Sequence, residues 1–154
     1  LASSAASDVY KRQFLDSDLL IQKEEKRRLY QIIDEEGEEG FKAIENRVNA
    51  SIDTENTVIA TGGSVVYCSE AMEHLKSIGK VVYLSLSLES LEKRLGNLKK
   101  RGVLLKEGQT LKSLYEERVP LYEKYADIVV DEEGKDLEAS LQALLETLQT
   151  GVIK

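Results

Sequence analysis

Two apolar runs, Thr57-Val-Ile-Ala60 and Lys80-Val-Val-Tyr-Leu-Ser-Leu86, constrain this chain more than anything else in it. Both are rich in β-branched residues and lack the strict alternation of a strand with one wet face, so they predict strands buried on both sides. Such strands belong to parallel sheets covered by helices. A third run, Asp127-Ile-Val-Val130, and a short one at Phe14-Leu15 complete the set. Between them, Leu29, Ile32 and Ile33, then Ile44, Val48 and Ile52, recur at helical spacing on either side of Gly37 and Gly40, which predicts a helix-turn-helix pair. Ser69 is expected to cap a helix through Ser77 with Gly79 as its stop, and Ser87 to cap Leu88 to Leu95 with Gly96 beyond. Leu111, Leu114, Arg118, Leu121, Tyr122 and Tyr125 mark a further helix, kinked or restarted at Pro120, which lacks a backbone donor. A last helix runs from about Asp136 to Leu148. This β-α-β-α order implies right-handed crossovers and an α/β layer fold.

Composition narrows the partners. A chain of 154 residues, 42% apolar and 32% charged, fits one globular domain, here read as residues 14–150. The net charge of -7 argues against broad nucleic-acid binding, so an anionic ligand must be held by a few local cations. No stretch is long and apolar enough to span a membrane. Lone Cys68 permits no internal disulfide, which suits a reducing cytoplasm, and a buried, inert thiol is its expected state. The single histidine, His74, has no Cys or His nearby with which to build a metal site. Residues 1–13 begin at Leu1 and end in Asp8-Val-Tyr-Lys-Arg-Gln13, which resembles a translated sequencing-library adaptor, so they are read as a non-native leader outside the fold.

Five short polar motifs follow in order: Phe14-Leu-Asp-Ser-Asp18, Phe41-Lys-Ala-Ile-Glu45, Ala60-Thr-Gly-Gly63, Arg101-Gly-Val-Leu-Leu105 and Glu117-Arg-Val-Pro-Leu-Tyr122. Asp16 and Asp18 sit two residues apart, so at the end of a strand both carboxylates would project to one side; by themselves they read rather as solvated turn or N-cap aspartates. Gly62 and Gly63 close an apolar strand, at the end where open α/β sheets bind ligands and where glycine lets a ligand approach the backbone. Lys42, Arg94 and the basic run Lys99-Lys-Arg101 read individually as solvated charges.

Taken together and in this order, the motifs resemble those of shikimate kinase, over Phe14 to about Asp131. That resemblance implies a P-loop kinase fold of the nucleoside-monophosphate-kinase type, a parallel sheet flanked by helices, acting on shikimate with ATP and Mg²⁺ in aromatic amino-acid biosynthesis. It implies catalytic roles for Asp18 near the transferring phosphoryl group and for Arg101 on the lid, substrate contacts from Asp18, Lys42, Gly62, Gly63 and Arg118, nucleotide contacts from Arg101 and Arg94, and Asp16 beside the metal through water. Glu45 would orient the cation at position 42. Three positions depart from the family pattern: Lys42 replaces an arginine, Ser64 a third glycine and Gly102 the proline of the lid motif. The pattern G-x-x-x-x-G-K-[ST] of a phosphate-cradling loop occurs nowhere in the chain. The first strand and that loop are therefore expected to be missing, and the chain as written to be inactive. Lys42 keeps open a related kinase for another polyol acid such as gluconate, and the absent loop keeps open a non-catalytic binding module.

Overall fold

The computed structural model describes residues 13–96 and 105–149, which form two compact units divided between Val81 and Val82. In the first, β1 (Gln13–Asp16) pairs in parallel with β2 (Thr57–Ala60), Phe14 opposite Val58 and Asp16 opposite Ala60. The crossover between them is helical: α1 (Ser17–Glu25), then α2 (Leu29–Ala50). After β2 come a 3₁₀ turn (Gly63–Tyr67) and α3 (Ser69–Ile78). The core of this unit is Ile21 from α1 with Ile32 and Val48 from α2, all fully buried, and Leu20, Leu29, Phe41 and Ile44 pack around them. Each such isoleucine or valine contributes on the order of 1.5–3 kcal/mol as an upper estimate.

Where a helix-turn-helix pair was expected, α2 is two helical stretches meeting at a kink on one residue, Gly37 (φ 70°, ψ −178°). That backbone conformation is essentially confined to glycine. The kink also presses the preceding turn against the next glycine, since a Cβ on Gly40 would stand 2.6 Å from Glu36 Cβ. Arg27 reaches Glu25 (3.0 Å), Glu35 (2.5 Å) and Glu36 (3.0 Å), and Arg47 pairs with Glu24 and Glu25. This clasp ties the end of α1 to both halves of α2, the helix that carries Lys42 and Glu45.

In the second unit, β3 (Val82–Ser85) pairs in parallel with β4 (Ile128–Asp131), and Glu132 N–H extends the ladder to Ser85 O at 2.9 Å. Helices α4 (Leu88–Leu95), α5 (Leu111–Tyr125) and α6 (Leu137–Gln149) complete it. The Ser87 hydroxyl caps α4 by accepting from Ser90 N–H at 3.2 Å, as expected. Ser69, by contrast, is the first residue of α3, and Cys68 holds the cap position. Helix α5 runs unbroken through Pro120. Its tyrosines pack: Tyr122 stacks on Tyr83 with centroids 5.1 Å apart, Tyr125 is buried, and the Tyr115 hydroxyl donates to Leu86 O at 2.9 Å. No helix among the described residues is long and apolar enough to cross a membrane.

Candidate active site

The parallel register Asp16 opposite Ala60 brings the residues just after β1 and just after β2 to one edge of the first unit. There the two aspartates separate in role, against the expectation that both lie on one strand face. The strand ends at Asp16, whose Oδ1 accepts from Asp18 N–H (2.9 Å) and Leu19 N–H (3.2 Å) and so caps α1. Asp18 lies in the first helical turn, where it faces Gly62: a Cβ built on that glycine would sit 3.1 Å from Asp18 Oδ1 and 3.3 Å from Glu45 Oε1. Burial, and secondarily the Asp16 carboxylate, raise the Asp18 pKa above the ordinary aspartate value.

Glu45, 1% exposed on α2, accepts from the Ser64 hydroxyl, which lies 2.9 Å from one carboxylate oxygen and 2.7 Å from the other. A hydroxyl has one proton to give, so it is shared between the two oxygens. The serine that replaces a glycine thus docks the turn after β2 onto α2. One turn before Glu45, Lys42 pairs with Glu39 Oε1 at 3.2 Å and lies over the Tyr67 ring, 5.3 Å from its centroid. Cys68 Sγ donates to Lys42 O at 3.6 Å, and burial and the Glu45 charge, eased by Lys42, push its thiol up to about 11. The thiol is buried, as the sequence suggests. His74 Nε2 donates to Ile52 O at 2.6 Å, a structural bond.

The remaining candidates belong to the second unit or to neither description. Arg118 is half-buried on α5. Arg94 Nη2 donates to Lys135 O (3.0 Å) and Glu132 O (3.4 Å), with the Glu132 carboxylate 3.5 Å from Nη1, so its guanidinium is tied to the loop after β4. Arg101 and the rest of its motif through Leu104 lie outside the described residues. Glu45, given only a supporting role in the sequence, and Ser64, noted there only as a departure from the family pattern, meet at the centre of this geometry, and Tyr67 carried no signal at all. Lys42 and Glu45 lie one turn apart on α2, and what they meet there comes from the turn after β2.

Parallel strand pairs joined by helical crossovers, with acidic groups, a Gly-Gly turn and a lysine at the carboxyl ends of the first pair, accompany likeness to solved kinases and give the class: a phosphotransferase with a P-loop kinase-like fold. The model of the shikimate kinase family matches residues 2–149. The chain belongs to the shikimate kinase family, whose reaction is the ATP-dependent phosphorylation of shikimate. It is 40% identical over 128 residues to a shikimate kinase of Francisella tularensis subsp. novicida, covering 80% of this chain and 73% of that one. With a shikimate kinase of Dictyoglomus turgidum the identity is 37% over 141 residues, covering 88% and 82%. Among solved structures, a shikimate kinase from Acinetobacter baumannii in complex with shikimate superposes with a TM-score of 0.85 at 29% identity, covering 99% of this chain and 87% of that one. One from Aquifex aeolicus gives 0.82 at 32%, covering 99% and 90%. These relatives favour neither the gluconate-type kinase nor the non-catalytic module.

Proposed function

We propose that the edge built from Asp18, Gly62, Gly63, Ser64, Lys42 and Glu45 is the shikimate-binding half of the kinase site. Asp18 holds substrate hydroxyls and accepts the proton of the 3-hydroxyl as it attacks the γ-phosphoryl group of ATP; its raised pKa suits a group that takes up a proton. Lys42 offers a compact positive charge to the substrate carboxylate. Gly62 leaves the room that a side chain would take from Asp18 and Glu45. The observation that carries this reading is the meeting of a half-buried, partly desolvated aspartate with a Gly-Gly turn at the carboxyl ends of two parallel strands.

Arg118 is proposed as a second cation for the substrate, and Arg94 and Arg101 for the nucleotide. Asp16 keeps one carboxylate oxygen beyond its two cap bonds, which fits Mg²⁺ held mainly through waters with one or two carboxylates. Bound there, Mg²⁺ would neutralise phosphate charge. Since these 154 residues contain no G-x-x-x-x-G-K-[ST], we place the backbone cradle for the ATP phosphates in residues outside them. A lone Cys68, which permits no internal disulfide, supports a cytoplasmic working enzyme. The test is ADP release driven by shikimate, measured for the 154 residues alone and joined to a P-loop unit of roughly 30 residues ahead of Phe14. Turnover only in the joined protein, and with shikimate rather than gluconate, is expected. Steady turnover by the 154 residues alone sinks the placement of the cradle, and equal turnover on gluconate sinks the substrate.

A further inference from the structure

Resting on the assignment of Lys42 to the substrate carboxylate, we propose that Tyr67 is a positioning residue for that contact: its ring holds the ammonium in place without cancelling its charge. Among the described residues Lys42 has two side-chain partners, the Glu39 carboxylate at 3.2 Å and the Tyr67 ring at 5.3 Å to the centroid. They differ in kind. Glu39 lies three residues back on the same helix and its side chain is 85% exposed, so the pair is weak and easily broken. While it lasts, it neutralises the charge an anionic ligand needs. A ring attracts a cation through its quadrupole and is itself neutral, so an ammonium resting on Tyr67 keeps its full charge for a carboxylate.

The backbone that carries the ring is also well anchored. Tyr67 ends the 3₁₀ turn that begins at Gly63, between Val66 (6% exposed) and Cys68 (3%), and the Cys68 thiol bonds the backbone of Lys42 itself. At the other end of that turn Ser64 is bonded to Glu45. A long lysine stem has more rotamers to lose than a planar, forked guanidinium loses per bond formed, and a fixed ring beside it removes some of that cost before substrate arrives.

The experiment is calorimetric titration of the full chain with shikimate and with its uncharged methyl ester. Tyr67→Leu should weaken shikimate binding by about two- to fivefold and leave the ester unchanged. Tyr67→Phe, which keeps the ring, should bind both like the unsubstituted chain, and Glu39→Gln, which removes the competing carboxylate, should bind shikimate equally or more tightly. Equal weakening of acid and ester by Tyr67→Leu, no weakening at all, or Tyr67→Phe behaving like Tyr67→Leu would overturn the inference. Failure of the unsubstituted chain to prefer acid over ester, seen before any substitution, overturns the Lys42 assignment and the inference with it.

Discussion

Gly62→Ala separates catalysis from stability at this edge. The backbone at Gly62 (φ −65°, ψ 153°) is open to any residue, so the substitution carries no conformational strain. It should gain about 0.4–1 kcal/mol from the stiffer unfolded chain. Against this, the new methyl would sit 3.1 Å from Asp18 Oδ1 and 3.3 Å from Glu45 Oε1, so both carboxylates must retreat by a few tenths of an ångström. The two effects offset to within about 1 kcal/mol, and the melting temperature should move by no more than about 4 °C. Activity has no such compensation. A displacement of 1 Å at a reacting centre costs about 10²-fold, so a few tenths should lower kcat/KM for shikimate by roughly 3- to 10-fold in the enzyme joined to its P-loop unit. Gly37→Ala is the converse control: its methyl meets nothing within 4 Å, but φ of 70° with ψ of −178° forces strain of about 1–3 kcal/mol. It should lower the melting temperature by roughly 2–12 °C with kcat/KM nearly intact. Thermal melts by circular dichroism beside coupled ADP-release kinetics read both quantities. A Gly62→Ala enzyme within twofold of the unsubstituted one, or less stable than Gly37→Ala, would refute the placement of Asp18 in the reaction.

Asp18→Asn should abolish phosphorylation yet raise the melting temperature at neutral pH. The folded pKa of Asp18 lies above the unfolded 3.8, so its contribution to stability is fully present below that value and lost as pH rises through the folded pKa; the gain from asparagine should therefore shrink as pH falls toward 3.8, and a loss of stability at neutral pH would contradict it. Arg118→Ala should cost about 10- to 150-fold in kcat/KM for shikimate with KM for ATP unchanged, whereas a solvated helix residue would change it by less than about twofold. Lys42→Arg should be tolerated, and should improve shikimate capture if the pocket admits the larger, bidentate head, so a collapse of kcat/KM would count against a carboxylate at this position.

What the sequence made legible is what rests on local pattern. The apolar runs mark the strand positions, and the parallel pairing follows from the helices between them. The expected burial on both faces does not hold: Leu84 in β3 is 41% exposed, and β4 alternates buried Ile128 and Val130 with exposed Val129 and Asp131. Boundaries slipped where pairing set them: the run from Lys80 to Leu86 forms only Val82–Ser85, the length of the ladder with β4. Helix α1 was not anticipated. Its apolar residues Leu19, Leu20 and Ile21 are consecutive, and nine residues are too few for the helical period to show, though Ile21 is fully buried.

The same limit explains the site. Asp16 and Asp18 were judged by the two-residue period of a strand, but the chain turns helical at Ser17, so one carboxylate folds back as a cap and the other swings toward Gly62. Lys42 and Glu45 stand three residues apart in one motif and hence one turn apart on α2, a local relation. That Ser64 occupies one and Tyr67 the other depends on the register of Asp16 with Ala60, which carries the turn after β2 up to that helix face. Two departures from the family pattern, Ser64 for glycine and Lys42 for arginine, therefore fall on the two sides of one contact between that turn and α2. The Lys42 ammonium rests on a neutral ring and meets the exposed Glu39 in a weak pair that a substrate carboxylate can displace, which makes it a local cation in a chain whose net charge is -7.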